Sequence, residues 1–316
     1  MTEENISKDK FGKSINRAIM EVVVFFDLFD YPLTKFEIWQ YLGAKCDLKS
    51  VAVELRKAAL LGKKHGFYFL CGREKIVRLR LERYNFTNQK IKRALRVARL
   101  FKFIPWIKLI AVGNMIGGNN LKKSSDIDLF IVTSQKRIWI TRFFCVGLAK
   151  SLRLRPTPAN KQDKICLSFY IAEDAMDMRR LMLNNKKEDD PYFVYWAAGL
   201  TPIYNQGLVY EKFIQANKWL FECLPNWSPV KTVKIRDAGS GFNHLYRDTA
   251  DLLIGGLESA AKNWQLKIMP KKLKSVMNEG TNVVVSDNVL KLYATDKREK
   301  YREKFLKKIK GLNILA

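Results

Sequence analysis

The stretch that most constrains this chain is Asp126-Ile127-Asp128-Leu129-Phe130-Ile131-Val132, an apolar run of strand length that opens with two acids. Side chains alternate across a strand, so Asp126 and Asp128 share one face while Ile127 points into the core. A second buried-strand run, Ile107 to Val112, ends in Gly113-Asn114. The loop between the runs carries Gly117, Gly118, Asn119, Lys122, Lys123, Ser124 and Ser125. Two carboxylates able to converge on one cation offer hard oxygen ligands for Mg²⁺ or Mn²⁺, and the adjoining Gly- and Lys-containing loop offers donors for phosphates. That pairing points to phosphoryl or nucleotidyl transfer from an NTP substrate. Asp126 and Asp128 are the expected catalytic and metal-binding residues, and Lys122, Lys123, Ser124 and Ser125 the expected nucleotide-binding loop. Two surface acids capping a turn at a strand start would read the same way.

Other chemistries find less support. The five cysteines show no CxxC spacing, and His65 and His244 are the only histidines, so neither a thiolate zinc site nor a histidine-centred triad is suggested. No apolar run reaches the length of about 18 residues that crosses a bilayer. The best, Phe101 to Ile116, is interrupted by Lys102, Pro105 and Lys108, and the polar start lacks the apolar stretch of a secretory signal. We expect no integral membrane segment and a cytoplasmic location. The formal charge of +26 favours polyanions as partners, nucleic acid among them.

Ahead of the acid pair, residues 1–17 read as a basic leader and 18–82 as three short helices followed by a hairpin. Pro32 should end the first helix, Thr34 and Glu37 form a capping-box pattern for the second, and the third should start at Asp47 and stop at Gly62. The hairpin is expected from Gly66 to Leu70 and Lys75 to Arg80. This order resembles a winged helix-turn-helix domain, which would place Lys49, Arg56 and Lys57 near DNA and Lys63, Lys64 and Arg73 on the wing. A spacer or protein-docking module fits the same pattern. A connecting helix is expected over 83–104, with Lys92, Arg96 and Arg99 on its outer face.

Val112-Gly113-Asn114 followed by Ser124-Ser125-Asp126-Ile127-Asp128-Leu129 resembles the signature of the nucleotidyltransferase fold, the DNA polymerase beta superfamily. The resemblance covers residues 105–180 and implies, within a core of 105–185, a mixed sheet with flanking helices, metal binding by Asp126 and Asp128, and triphosphate contacts from the turn at Gly113 and Asn114. The family pattern has Ser where this chain has Asn114. It also carries a third carboxylate on a neighbouring strand; here the strand expected over Lys164 to Ala172 places Ser168 near that position, with Asp163, Glu173 and Asp174 only at its ends.

Residues 133–154 read as a helix whose Arg142 and Lys150, with Arg153 and Arg155 at its end, are placed to guide a triphosphate or simply to face solvent. Residues 186–316 read as a helical C-terminal region in which Val283 to Val285 adds a short strand. Its last helix is ringed by Lys297, Arg298, Lys300, Arg302, Lys304, Lys307, Lys308 and Lys310. The expected fold is therefore α+β: an N-terminal winged helix, a central nucleotidyltransferase-like mixed sheet and a helical C-terminal region. The expected function is Mg-dependent transfer of a nucleoside monophosphate from an NTP to an acceptor. The alternative is a catalytically weak or inactive member that binds nucleic acid or senses a nucleotide.

Overall fold

A computed structural model describes residues 14–113, 118–157, 159–185, 190–230 and 244–312. Most of the expected leader and Asn114 lie outside these residues. The described elements run α1 (Ile15–Asp27), β1 (Leu33–Thr34), α2 (Lys35–Tyr41), α3 (Leu48–Lys57), β2 (Leu61–Lys64), β3 (Phe67–Leu70), α4 (Lys75–Phe101), β4 (Ile107–Val112), β5 (Ile127–Thr133), α5 (Ile138–Ser151) and β6 (Ile165–Ala172). They continue with α6 (Pro191–Ala198), β7 (Thr201–Asn205), α7 (Val209–Ala216), α8 (Trp219–Cys223), α9 (His244–Ile254), α10 (Glu258–Lys267), α11 (Lys271–Lys274), β8 (Val283–Val285), β9 (Val289–Leu292) and α12 (Arg298–Gly311).

Local chemistry sets the first elements. Thr34 Oγ1 accepts from the Glu37 amide at 3.2 Å while Glu37 Oε2 accepts from the Thr34 amide at 2.8 Å, so two orphan donors at the start of α2 are satisfied reciprocally. Asp47 caps α3 by accepting from the Ser50 amide at 2.6 Å. The three-stranded sheet has order β1-β3-β2. Its hairpin differs from the expectation: β2 pairs with β3 through a two-residue turn at His65 and Gly66, both with positive φ (50° and 80°), the geometry that matches strand twist. Gly62 therefore lies in a strand instead of ending a helix. Lys75 to Arg80, expected as a strand, opens the 27-residue α4, from which Arg80 clamps Glu37 with two hydrogen bonds of 2.7 and 2.9 Å.

The second sheet has order β7-β4-β5-β6-β9-β8, with β5 and β6 parallel and every other pair antiparallel. Three of its six strands come from residues 186–316, expected to be helical apart from the short strand at Val283 to Val285, which is β8; β7 and β9 were not expected. Alternation divides the sheet's side chains between two cores. Ile110, Leu129, Ile131 and Tyr170 pack with α4, α5 and α10 on one face. Leu109, Phe130, Phe169 and Ile171 pack with α6, α7 and the N-terminal helices on the other. The expected helix of 133–154 is shorter, α5, and the helices α9 and α10 are parted by a 3-10 turn at Gly255 to Leu257.

Candidate metal centre

Asp126 and Asp128 stand at the start of β5 on the face that carries Phe130, away from the core occupied by Ile127 and Leu129. In the parallel neighbour β6, Cys166 lies opposite Asp128. One oxygen of each aspartate and the Cys166 sulfur all lie within 4.8 Å of one another, the arrangement of a cation site. A register shift between the pairs Asp128–Cys166 and Phe130–Phe169 marks a bulge in β6. Without that extra residue Leu167 would lie opposite Asp128; with it Cys166 does, and Ser168, expected beside the acids, has its Oγ 3.1 Å from the Cys166 sulfur. Burial pushes the Cys166 thiol up, and the negative charges of Asp128 and Asp126 add to the rise.

The three residues line a cleft of about 550 Å³. Its aromatic wall includes Phe169 stacked on Trp196 at 5.3 Å and Tyr192 stacked on Tyr301 at 5.4 Å. Lys161, Lys291, Lys297 and Arg298 supply positive charge. Lys161 and Lys297 are exposed, whereas Lys291 and Arg298 are buried. Lys291 donates to the Thr281 carbonyl, and burial pushes its ammonium down to about 7, reinforced by the charge of Arg298 and opposed by Asp296 and Asp190. Arg298 bridges Asp190 and Asp296 at 2.8 and 2.6 Å. Burial opposes ionisation of Asp296, but its hydrogen bonds to Arg298 outweigh that and hold the carboxyl below its ordinary value.

The remaining expected residues are arranged differently. Gly113 is buried beneath the cleft, where its amide donates to the Asp128 carbonyl at 2.9 Å and an added Cβ would meet Trp196 Nε1 at 3.3 Å. It holds the β5 edge and leaves room for Trp196. Lys122, Lys123 and Ser124 are exposed and, like Ser125, do not line the cleft. Their loop is tied to α4 instead, by the buried Lys90 ammonium, which donates to the Lys123 and Ser125 carbonyls at 3.2 and 2.6 Å. The strand-end acids are also engaged elsewhere: Asp163 with Lys90 at 2.6 Å, Glu173 with the Gln135 amide, and Asp174 with the Gln135 side chain. Arg142 donates to Gln265, on the opposite side of the sheet from the acids.

Among the expected nucleic-acid contacts, Lys49, Arg56 and Lys64 are exposed, Lys57 pairs with Glu54 at 3.3 Å, and the Lys63 ammonium sits 5.6 Å from the Tyr68 ring centre. Arg73 departs from the wing expectation: it is held by Asp27 and Asp30 at 3.0 and 2.5 Å, tying the end of β3 to the end of α1. In the final helix Arg298 and Lys308 likewise turn inward, Lys308 pairing with Asp27. Sequence reasoning missed Cys166, Tyr192, Lys291 and Tyr293. Only Tyr192 carried a local signal, the Asp190-Pro191 start of α6.

The donor set meets Mg²⁺ only in part. Two carboxylates suit a hard cation that demands oxygen, whereas a thiol does not. No helix among the described residues is long and apolar enough to cross a membrane. Comparison with family models, curated proteins and solved structures returns no match.

Proposed function

We propose that this protein is a divalent-metal-dependent nucleotidyltransferase of the DNA polymerase beta superfamily fold, moving a nucleoside monophosphate from an NTP to an acceptor in the cytoplasm. The observation that carries the reading is the convergence of Asp126 and Asp128 in a cleft that also offers cations and aromatic faces. The two carboxylates would hold Mg²⁺ or Mn²⁺. A divalent ion there supplies charge stabilisation for the transferring phosphoryl group and lowers the pKa of an attacking hydroxyl. Lys161 and Lys297 are exposed at the cleft and reach phosphate oxygens without breaking a buried pair. Tyr192 and Tyr301, half-buried at the cleft, offer ring surface on which a base can stack.

The decisive experiment incubates the purified chain with each labelled triphosphate, Mg²⁺ or Mn²⁺ and a panel of acceptors. Label transfer by the wild type and its loss in Asp126→Asn and Asp128→Asn is the expected outcome. Equal transfer in both variants removes the catalytic claim.

One observation favours a second reading. A thiol at Cys166, where the superfamily pattern has a carboxylate, weakens the hold on Mg²⁺ and suits a module that binds a nucleotide or nucleic acid without turnover. The three helices and the β1-β3-β2 sheet at the N-terminus support a winged-helix reading, with Lys49 and Arg56 exposed on α3.

A further inference from the structure

The disagreement between the donor set and Mg²⁺ has its own chemical logic. Among the described residues, Asp126, Asp128 and Cys166 are the one group of three acid, thiol or imidazole side chains close enough to share an ion. The other four cysteines belong to no such group. We propose that this centre selects a thiophilic divalent cation, of the Zn²⁺, Co²⁺ or Cd²⁺ class, through the Cys166 sulfur. The inference rests on the reading that Asp126 and Asp128 hold a divalent ion, and it names which kind.

Two carboxylates and a thiolate are three donors of the types that bind zinc. All three line the cleft, so further positions are open to water or to a phosphate oxygen entering from it. Mg²⁺ gains nothing from the sulfur and must complete its shell with oxygen. When the sulfur–metal bond forms, the thiol proton passes to solvent and no electron is transferred. Ser168 Oγ, 3.1 Å from the sulfur, can then donate a hydrogen bond to the thiolate and fix its direction. The bulge in β6 gives the sulfur this place by setting Cys166 opposite Asp128 while Phe169 packs in the core.

The test uses the full chain and metal ions alone. Co²⁺ is titrated while its sulfur-to-cobalt charge-transfer absorption is followed, and Zn²⁺ and Mg²⁺ affinities are obtained by competition. The same measurements are made on Cys166→Ser and Cys166→Asp, with circular dichroism to verify their folding. The wild type should show the charge-transfer band and Cys166→Ser should lose it. The serine variant should bind Zn²⁺ at least about 100-fold weaker, the upper end of what losing a mere outer-shell partner costs, with Mg²⁺ affinity little changed. Cys166→Asp should move the preference toward Mg²⁺. If Co²⁺ binds without the band, or Zn²⁺ binds the wild type and Cys166→Ser alike, the sulfur is not a ligand. That result overturns this proposal and leaves an all-carboxylate metal site intact. If the wild type binds none of the ions, or Asp126→Asn and Asp128→Asn bind them as the wild type does, the metal reading itself fails.

Discussion

Replacing Arg298 with methionine probes the cluster that closes the cleft. Arg298 and Asp190 have 5% and 0% of their side chains exposed, and their contact at 2.8 Å joins the first residue of α12 to the residue that caps α6. Arg298 also donates to the Leu181 carbonyl at 2.8 Å, to Thr281 Oγ1 at 2.7 Å and to Asp296. Methionine fills a similar volume but withdraws every one of these donors. Asp190 keeps the Phe193 and Leu183 amides, at 3.0 and 3.1 Å, yet its charge stays buried without the cation that paired with it directly. Stranding one partner of a buried pair costs about 3–5 kcal/mol. With a urea slope of roughly 3 kcal/mol per molar, the unfolding midpoint should fall by about 1–2 M. Adding Asp190→Asn should restore part of the loss, because the stranded charge is then gone, and the double-mutant cycle should give a clear coupling energy. A fall below about 1 kcal/mol, the scale of an exposed ion pair, together with additive single effects, would refute the argument that burial makes this pair matter.

Lys291 sets a pH dependence: its folded value near 7 lies below the ordinary 10.5, so the unfolded chain binds more protons between those limits and stability should rise with pH there. Between pH 7 and 9 the gain should be about 2 kcal/mol, and urea unfolding of Lys291→Met should show that slope removed; an unchanged slope would assign it to other groups. On the winged-helix reading of residues 18–82, the pair Lys49→Ala and Arg56→Ala should weaken duplex DNA binding equally across sequences. It should also flatten the dependence of log affinity on log salt by about 0.9 for each lost phosphate contact. Retention of the wild-type salt slope in fluorescence anisotropy would remove α3 from the interface.

The elements legible in the sequence are those fixed by neighbours along the chain. The Thr34–Glu37 capping box, the Asp47 cap and the strands of 107–112 and 127–133 follow from short-range hydrogen bonding and from periods of 3.6 and 2. Alternation alone put Asp126 and Asp128 on one face, and the structure has their oxygens together. The hairpin was misplaced because Leu61 to Lys64 is too short and polar to announce a strand; its pairing with Phe67 to Leu70 is supplied by the turn between them. Arg73 looked like a free wing cation because nothing in its own segment reveals Asp27, 46 residues earlier.

The sequence by itself determined the acid pair, the apolar strands that carry it and a positive charge that favours anionic partners. Tertiary structure alone decided what surrounds the pair. Cys166 stands beside the acids because a bulge shifts the register of β6; counted back from the Phe130–Phe169 pair without it, Leu167 would lie opposite Asp128. Tyr192, Lys291 and Arg298 arrive from α6, β9 and α12, elements brought to the acids by core packing, by sheet pairing and by a buried ion pair across more than 100 positions. Hydrogen bonding between strands and desolvation of charge act through space, so no local pattern in the chain could have encoded that assembly in readable form.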